Sequence, residues 1–246
     1  MSNTNSVSST SDNKSIDKEL EILFEDNHII VIDKKSSQLV QGDRTGDDSL
    51  SDFVKNYLKV KYNKPGNVFL GVVHRIDRPV SGVVVFAKTS KALTRLNNMF
   101  RGSEVSKKYL AVVEGIPPKT EDMLVNHLLR NSDKNKSFVV SPVTPNSKEA
   151  KLTYRLLATG KTLSLLEVEL LTGRHHQIRC QLANIGCIIK GDVKYGSKRT
   201  NGDGSISLHA YSLKFIHPVS KQEVSIISKP LDKDYFKLFC DNILQL

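Results

Sequence analysis

Apolar and polar positions alternate along most of this chain in runs too short for long helices. Residues 22–24 and 29–32 are apolar on either side of the turn-forming Glu25-Asp26-Asn27 and predict a hairpin. Leu50, Val54, Tyr57 and Leu58 repeat at helical spacing behind Asp48 and Ser49, predicting a capped helix to about Tyr62. Strands are expected at 68–73 and 82–88, on either side of a charged loop. Ser90 is the expected cap of a second helix through Leu93, Leu96, Met99 and Phe100, ended near Gly102. Residues 107–114, 123–130, 137–141, 151–158 and 162–171 read as further strands. A helix is expected over 175–185 with Gly186 just past its end, a strand over 206–216 and a closing helix over 231–244. Strands dominate and are not separated by regular helices. The pattern predicts an α+β fold with a mainly antiparallel sheet. Residues 1–17 are polar and read as a disordered tail, leaving one ordered domain over 18–246.

Composition narrows this. A chain of 246 residues is long enough to bury a substantial core, and its composition excludes collagen, coiled coil and wholesale disorder. No apolar run approaches the ~20 residues of a membrane span, so no membrane partner is expected. Three cysteines, Cys180, Cys187 and Cys240, are too few and odd for a disulfide framework, and no secretory leader is visible. A reducing, cytoplasmic setting is the expectation. The formal net charge is +10, but residues 1–60 carry −4 and residues 61–246 carry +14. A basic body points to a polyanion, nucleic acid before anionic membrane, or to an ordinary basic enzyme with no polymer partner.

Polar islands between apolar strands carry the candidate chemistry. In Val73-His74-Arg75-Ile76-Asp77-Arg78-Pro79-Val80-Ser81-Gly82, only Ile76 interrupts the charge of 74–78. This is either a solvated loop whose charges pair among themselves or a carboxylate, Asp77, held at a cleft mouth. Arg75 and Arg78 would keep it ionised and offer cations to phosphates. A second island, Thr172-Gly173-Arg174-His175-His176-Gln177-Ile178-Arg179, opens a helix, where basic side chains attract phosphate. Arg174 and Arg179 should face different ways, one to a polyanion and one inward to a carboxylate. Adjacent His175 and His176 should diverge, and Cys180 and Cys187 lack zinc spacing, so no metal is expected. Tyr109, Ala111 and Val113 alternate onto one face, and periodicity alone makes Tyr109 a core residue. His209 and His217 read as structural hydrogen-bonding groups.

Taken in order, His74-Arg75-Ile76-Asp77-Arg78-x-x-Ser81-Gly82, Lys107-x-Tyr109, Gly173-Arg174-x-His176-Gln177-Ile178-Arg179, and Leu208-His209-Ala210 with His217-Pro218 resemble the RluA-type pseudouridine synthases. The likeness runs from about residue 20 to about residue 228, in the single-domain form without an S4 domain. It implies a mixed, mostly antiparallel sheet with flanking helices and a central basic cleft. It implies cofactor-free conversion of uridine to pseudouridine in ribosomal or transfer RNA by a protein expected to be monomeric. Asp77 would be the catalytic aspartate, either adding to the uracil ring or abstracting a ribose proton. Tyr109 would pack on the base and help remove the final ring proton. Arg179 would pair with the aspartate, and Arg75 would fill the gap left by the flipped-out nucleotide. His74, Arg78, Arg174, His176 and Gln177 would shape the cleft and meet RNA.

The chain departs from the family pattern at Asp33-Lys34-Lys35-Ser36-Ser37-Gln38, which lacks a Pro and a Gly, and at Val80, His175 and Cys180-Gln181. None removes Asp77, Tyr109 or Arg179. The alternative is a non-catalytic RNA-binding or ribosome-assembly factor, which the basic body fits equally well. A phosphotransferase is disfavoured: Ile76 breaks the His-Arg-Asp spacing, and no Gly-rich phosphate loop is present.

Overall fold

The computed structural model describes residues 20–42 and 46–246, so the tail expected over 1–17 lies outside the described residues. Eleven strands form one sheet: β1 (Glu21–Glu25), β2 (Ile29–Lys34), β3 (Gly71–Val72), β4 (Ser81–Ala87), β5 (Ser106–Glu114), β6 (Glu121–Asn131), β7 (Lys136–Val140), β8 (Lys148–Thr159), β9 (Leu163–Leu170), β10 (Leu208–Ile216) and β11 (Glu223–Ile227). Among the described residues four α-helices flank it: α1 (Leu50–Lys61), α2 (Ser90–Arg101), α3 (Gln177–Asn184) and α4 (Cys240–Leu244). The order across the sheet is β1-β2-β4-β10-β5-β9-β8-β6-β7, with β3 also on β4 and β11 on β10. Among the described residues only β4 and β10 pair in parallel. This is the α+β, mostly antiparallel mixed sheet that the pattern predicts.

Alternation explains the layering. β2 and β4 are buried along their whole length, which is why they read as unbroken apolar runs. Ile30, Ile32, Val84 and Phe86 join Leu50, Val54 and Leu58 of α1 on one face. Ile29, Val31, Val83 and Val85 meet Ala92 and Leu96 of α2 on the other. On β5, Tyr109, Ala111 and Val113 share the α1 side, while Leu110 and Val112 pack against Phe236, Phe239 and Ile243. The parallel contact between β4 and β10 needs Gly82, whose φ is +112°. A Cβ there would meet the Ala210 carbonyl oxygen and lie 2.6 Å from the Ala210 nitrogen.

Four boundaries differ from expectation for local reasons. Thr89, not Ser90, caps α2 by accepting from the Ala92 amide at 3.2 Å. The strand expected over 68–73 pairs only at Gly71–Val72. α3 starts at Gln177 because His176 sits in the left-handed region, φ 52°. The closing helix is split: Asp234 has φ 43°, a 3-10 segment follows at Asp234–Phe239, and α4 is only Cys240–Leu244. β11, whose residues alternate between exposed and half-buried, escaped the sequence reading.

A charged cluster ties the β1–β2 corner to α1. Glu25 accepts from Lys61 and Lys88 at 2.7 Å, Tyr62 at 2.8 Å and Tyr57 at 3.0 Å. Burial would raise the Glu25 pKa, but the four donors outweigh it and hold it at about 2. Glu25→Gln should destabilise the fold by about 1–3 kcal/mol at neutral pH, because it leaves the buried Lys88 ammonium without its anion. A carboxylate with a depressed pKa contributes stability above its unfolded value of 4.5 and loses it as pH falls towards 2. Denaturant melts of the two proteins should therefore converge across that window.

Candidate active site

The loop from Val73 to Val80 crosses the sheet between β3 and β4 and is anchored at both ends. His74 stacks on Phe100 with ring centroids 4.8 Å apart, and its Nε2 accepts the Val85 amide at 3.1 Å. Burial, helped by Lys107, pushes His74 down to about 3, so it is a neutral core residue. Ile76 and Val80 enter the core, and the Val80 amide closes a turn on the Asp77 carbonyl. Lys34 is fully buried and donates to the carbonyls of Lys35 at 2.9 Å, Gln38 at 2.9 Å and Arg78 at 3.1 Å. The Ser37 amide also reaches the Arg78 carbonyl, and Arg78 returns a bond to Ser37 O and an ion pair to Asp47 at 3.0 Å. The divergent segment 33–38 is thus welded to the Asp77 loop. Burial pulls Lys34 down to about 7 against the attraction of Asp77 and Asp33.

Between these anchors the Asp77 side chain is 28% exposed, the open member of a charged group. Arg179 of α3 donates from Nη1 to Asp77 Oδ2 at 3.0 Å. Its Nε and Nη2 grip Asp192 in a fork at 2.7 and 2.8 Å. Arg179 is 5% exposed and Asp192 1%. Burial alone would lower the Arg179 pKa, but the bonds and charge of Asp192, joined by Asp77, raise it above its ordinary value. Nη1 also meets His176 Nε2 at 3.1 Å. A guanidinium can only donate, so Nε2 accepts and the imidazole proton sits on Nδ1, facing the Tyr195 hydroxyl at 3.1 Å. Burial, then Arg179, pushes His176 down to about 2 and keeps it neutral. Tyr195 accepts the Ser137 amide at 2.9 Å and lies under Arg179, 5.2 Å from guanidinium carbon to ring centre. Tyr109 is buried beside this group; burial, then Asp77, drives its phenol pKa up.

The structure therefore brings together Asp77, Arg179 and His176, with Tyr109 nearby. Arg75 is exposed on the loop beside them. His74 is engaged with Phe100 and Val85, and Arg78 with Ser37 and Asp47. Gln177 is buried: its Oε1 accepts from Thr172 and the Arg174 amide, and its Nε2 donates to Lys151 O. Arg174 turns outward, bonding Glu149 O through Nε at 2.8 Å, while Arg179 turns inward. His175 and His176 do not diverge; their rings stack at 3.9 Å because the left-handed backbone at His176 folds one side chain over the other. His209 is a buried hydrogen-bonding group between Ser81 at 2.8 Å and Ser228. Sequence reasoning missed Lys34, Asp192 and Tyr195. The signal for the last two was Gly191-Asp192-x-x-Tyr195-Gly196, another polar island behind an apolar run, with both glycines at positive φ.

The model of one family, described as RNA pseudouridylate synthase, matches residues 28–184. The chain belongs to that family. Ribosomal large subunit pseudouridine synthase C of Buchnera aphidicola subsp. Baizongia pistaciae is 32% identical over 231 residues, 91% of this chain and 70% of the relative. Ribosomal large subunit pseudouridine synthase D of Zymomonas mobilis is 33% identical over 223 residues, 86% and 69% of the two chains. The solved structure of human RNA pseudouridylate synthase domain containing 4 superposes with a TM-score of 0.75 at 22% identity, covering 94% of this chain and 95% of that one. With these relatives the chain is an RluA-type pseudouridine synthase, an isomerase of RNA. Among the described residues, no His, Cys, Asp and Glu group is arranged to hold a metal ion, and no helix is long and apolar enough to cross a membrane.

Asp192→Ala in this pseudouridine synthase should cost about 3–5 kcal/mol, because it strips a buried guanidinium of its forked partner. Asp192→Asn, which keeps one acceptor, should cost less. Urea melts check both; equal and negligible losses would contradict the pairing.

Proposed function

We propose that this pseudouridine synthase isomerises uridine in ribosomal RNA, with Asp77 as its catalytic residue and residues 18–246 as a single monomeric catalytic domain in the cytoplasm. The observation that carries the reading is the asymmetry of the site: Asp77 is held on its inner side by Arg179 and open to solvent on its outer side. A carboxylate with a fixed rotamer and one free oxygen is suited to attack or proton abstraction on a flipped-out nucleotide. The reaction breaks a carbon–nitrogen glycosidic bond and forms a carbon–carbon bond. It moves a proton from the ring carbon to the ring nitrogen, so no oxidant or reductant is consumed. The neutral phenol of Tyr109 packs on the base and accompanies that proton. Arg75, exposed beside the site, fills the space vacated in the RNA stack. His74, Arg78 and Gln177 serve as positioning groups, and His176 holds Arg179 through its neutral Nε2. Ribosomal RNA is favoured because the matching relatives are named for the large ribosomal subunit.

Pseudouridine mapping of total RNA from wild-type and deletion strains is the test. A ribosomal site should vanish on deletion, return with the wild-type chain and stay absent with Asp77→Asn. Purified Asp77→Asn should lose about 10²–10⁴-fold or more in kcat, the range for losing a positioned acid–base group, while still binding RNA. Modification by Asp77→Asn at the wild-type rate would refute the role of Asp77. Loss at a transfer RNA position would reassign the substrate.

A further inference from the structure

Two stacked imidazole rings separate Asp77 from a cavity of about 240 Å³, lined by Leu128, Arg130, Ser137, Asn146, Lys148, Gly173, Arg174 and His175. Its inner wall is His175, whose ring stacks on His176, which in turn sits 3.5 Å from Asp77 Oδ2. Three elements aim cations at it. Arg130 comes from the end of β6, Lys148 from the start of β8, and Arg174 from the turn before α3. Among the described residues, none of the three forms an ion pair. Arg174 spends only Nε, on the Glu149 carbonyl, and the Glu149 carboxylate is taken by Lys151 at 2.8 Å.

The contrast with the other large cavity is instructive. There Glu121, Asp122, Arg155, Glu167 and Glu169 line a groove on the β6–β8–β9 surface. That lining is acidic and partly paired: Arg155 and Lys108 lie on Glu167 at 3.3 and 3.4 Å and Lys119 on Asp122 at 3.0 Å, so it offers an anion nothing. None of the residues lining the Arg130–Lys148–Arg174 cavity is acidic, so three cations converge there, an arrangement that a bound anion relieves. Burial, then Arg130, lowers the His175 pKa, so its ring presents a neutral face there. The volume is below the ~300 Å³ of a cavity that encloses a whole small molecule. Gly173 keeps the rim low, with nothing within 4 Å of the position a Cβ would take.

We propose that this cavity is a phosphodiester subsite: Arg130, Lys148 and Arg174 hold the RNA backbone of a nucleotide flanking the target uridine. The proposal rests on the RNA reading above and adds Arg130 and Lys148 to the substrate-binding groups. Fixing the backbone one residue away lets the neighbouring base swing out to Asp77 without the strand sliding.

The test uses the full chain and an unmodified ribosomal RNA transcript, with fluorescence anisotropy titrations at several salt concentrations. Arg130→Ala/Lys148→Ala should raise Kd by about tenfold near 0.1 M salt. It should also flatten the slope of log affinity against log salt by about 1.4, two phosphate contacts at ~0.7 each on single-stranded RNA. Pseudouridine formation at RNA concentrations below Kd should fall in step with the lost affinity. Lys59→Ala/Lys91→Ala removes the same charge from exposed positions on α1 and α2 and should change neither value appreciably. Circular dichroism melts confirm that both variants fold. Equal losses from the two pairs, or an unchanged Kd in the first, would overturn the subsite. Wild-type chain that makes no pseudouridine, while the first pair still weakens RNA binding selectively, would sink the activity reading and leave the subsite standing.

Discussion

A guanidinium buried as deeply as that of Arg179 stays in the fold only if its charge is answered at short range. Asp192 answers most of it with two bonds, His176 caps a third direction with a lone pair, and the Tyr195 ring covers one face. The other N–H of Nη1 goes to Asp77. The division matters because a carboxylate that received the whole guanidinium would be neutralised and its oxygens occupied. Sharing Arg179 between two aspartates fixes the orientation of Asp77 while leaving it an exposed oxygen. The remaining parts of the site support that one arrangement. Lys34 holds the Asp77 loop from below, and the left-handed His176 turns α3 so that Arg179 points inward.

The fold and the site were legible in the sequence to different degrees, and for physical reasons. β2, β4 and α1 announce themselves because burial on both faces or on one helical stripe writes directly into hydrophobic period. β11 and the split at Asp234 do not, since an edge strand with few buried residues and a single left-handed backbone leave little trace in composition. In the site, Asp77 and Arg179 stood out as charges between apolar strands. Arg78 and His74 stood out in the same way, yet their partners are the protein's own backbone, the Phe100 ring and the Asp47 carboxylate. A charged letter signals that a group must be satisfied without saying by whom. Lys34 is the converse. It stood only in a segment that departs from the family pattern, because its three carbonyl partners are invisible to any pattern of side chains.

The basic body also acquires a structure of its own. Its charges are not a uniform coat: Arg179 is answered from within and Lys34 by backbone dipoles. Lys61 and Lys88 are tied to Glu25. Arg75, Arg130, Lys148 and Arg174 are held by no carboxylate among the described residues, and the last three line one cavity.

β10 has a further consequence, for the order in which the molecule is made. It is the one strand that hydrogen-bonds the β1–β4 half of the sheet to the β5–β9 half among the described residues, and it begins only at Leu208. Asp77 belongs to the first half and Tyr109 to the second. During synthesis, both halves leave the ribosome while the seam between them is still untranslated. Domains form as their parts emerge, at roughly 5–20 residues per second. Until residues 208–216 are made, no described strand hydrogen-bonds the Asp77 half of the sheet to the Tyr109 half, so completing the sheet waits on that late segment.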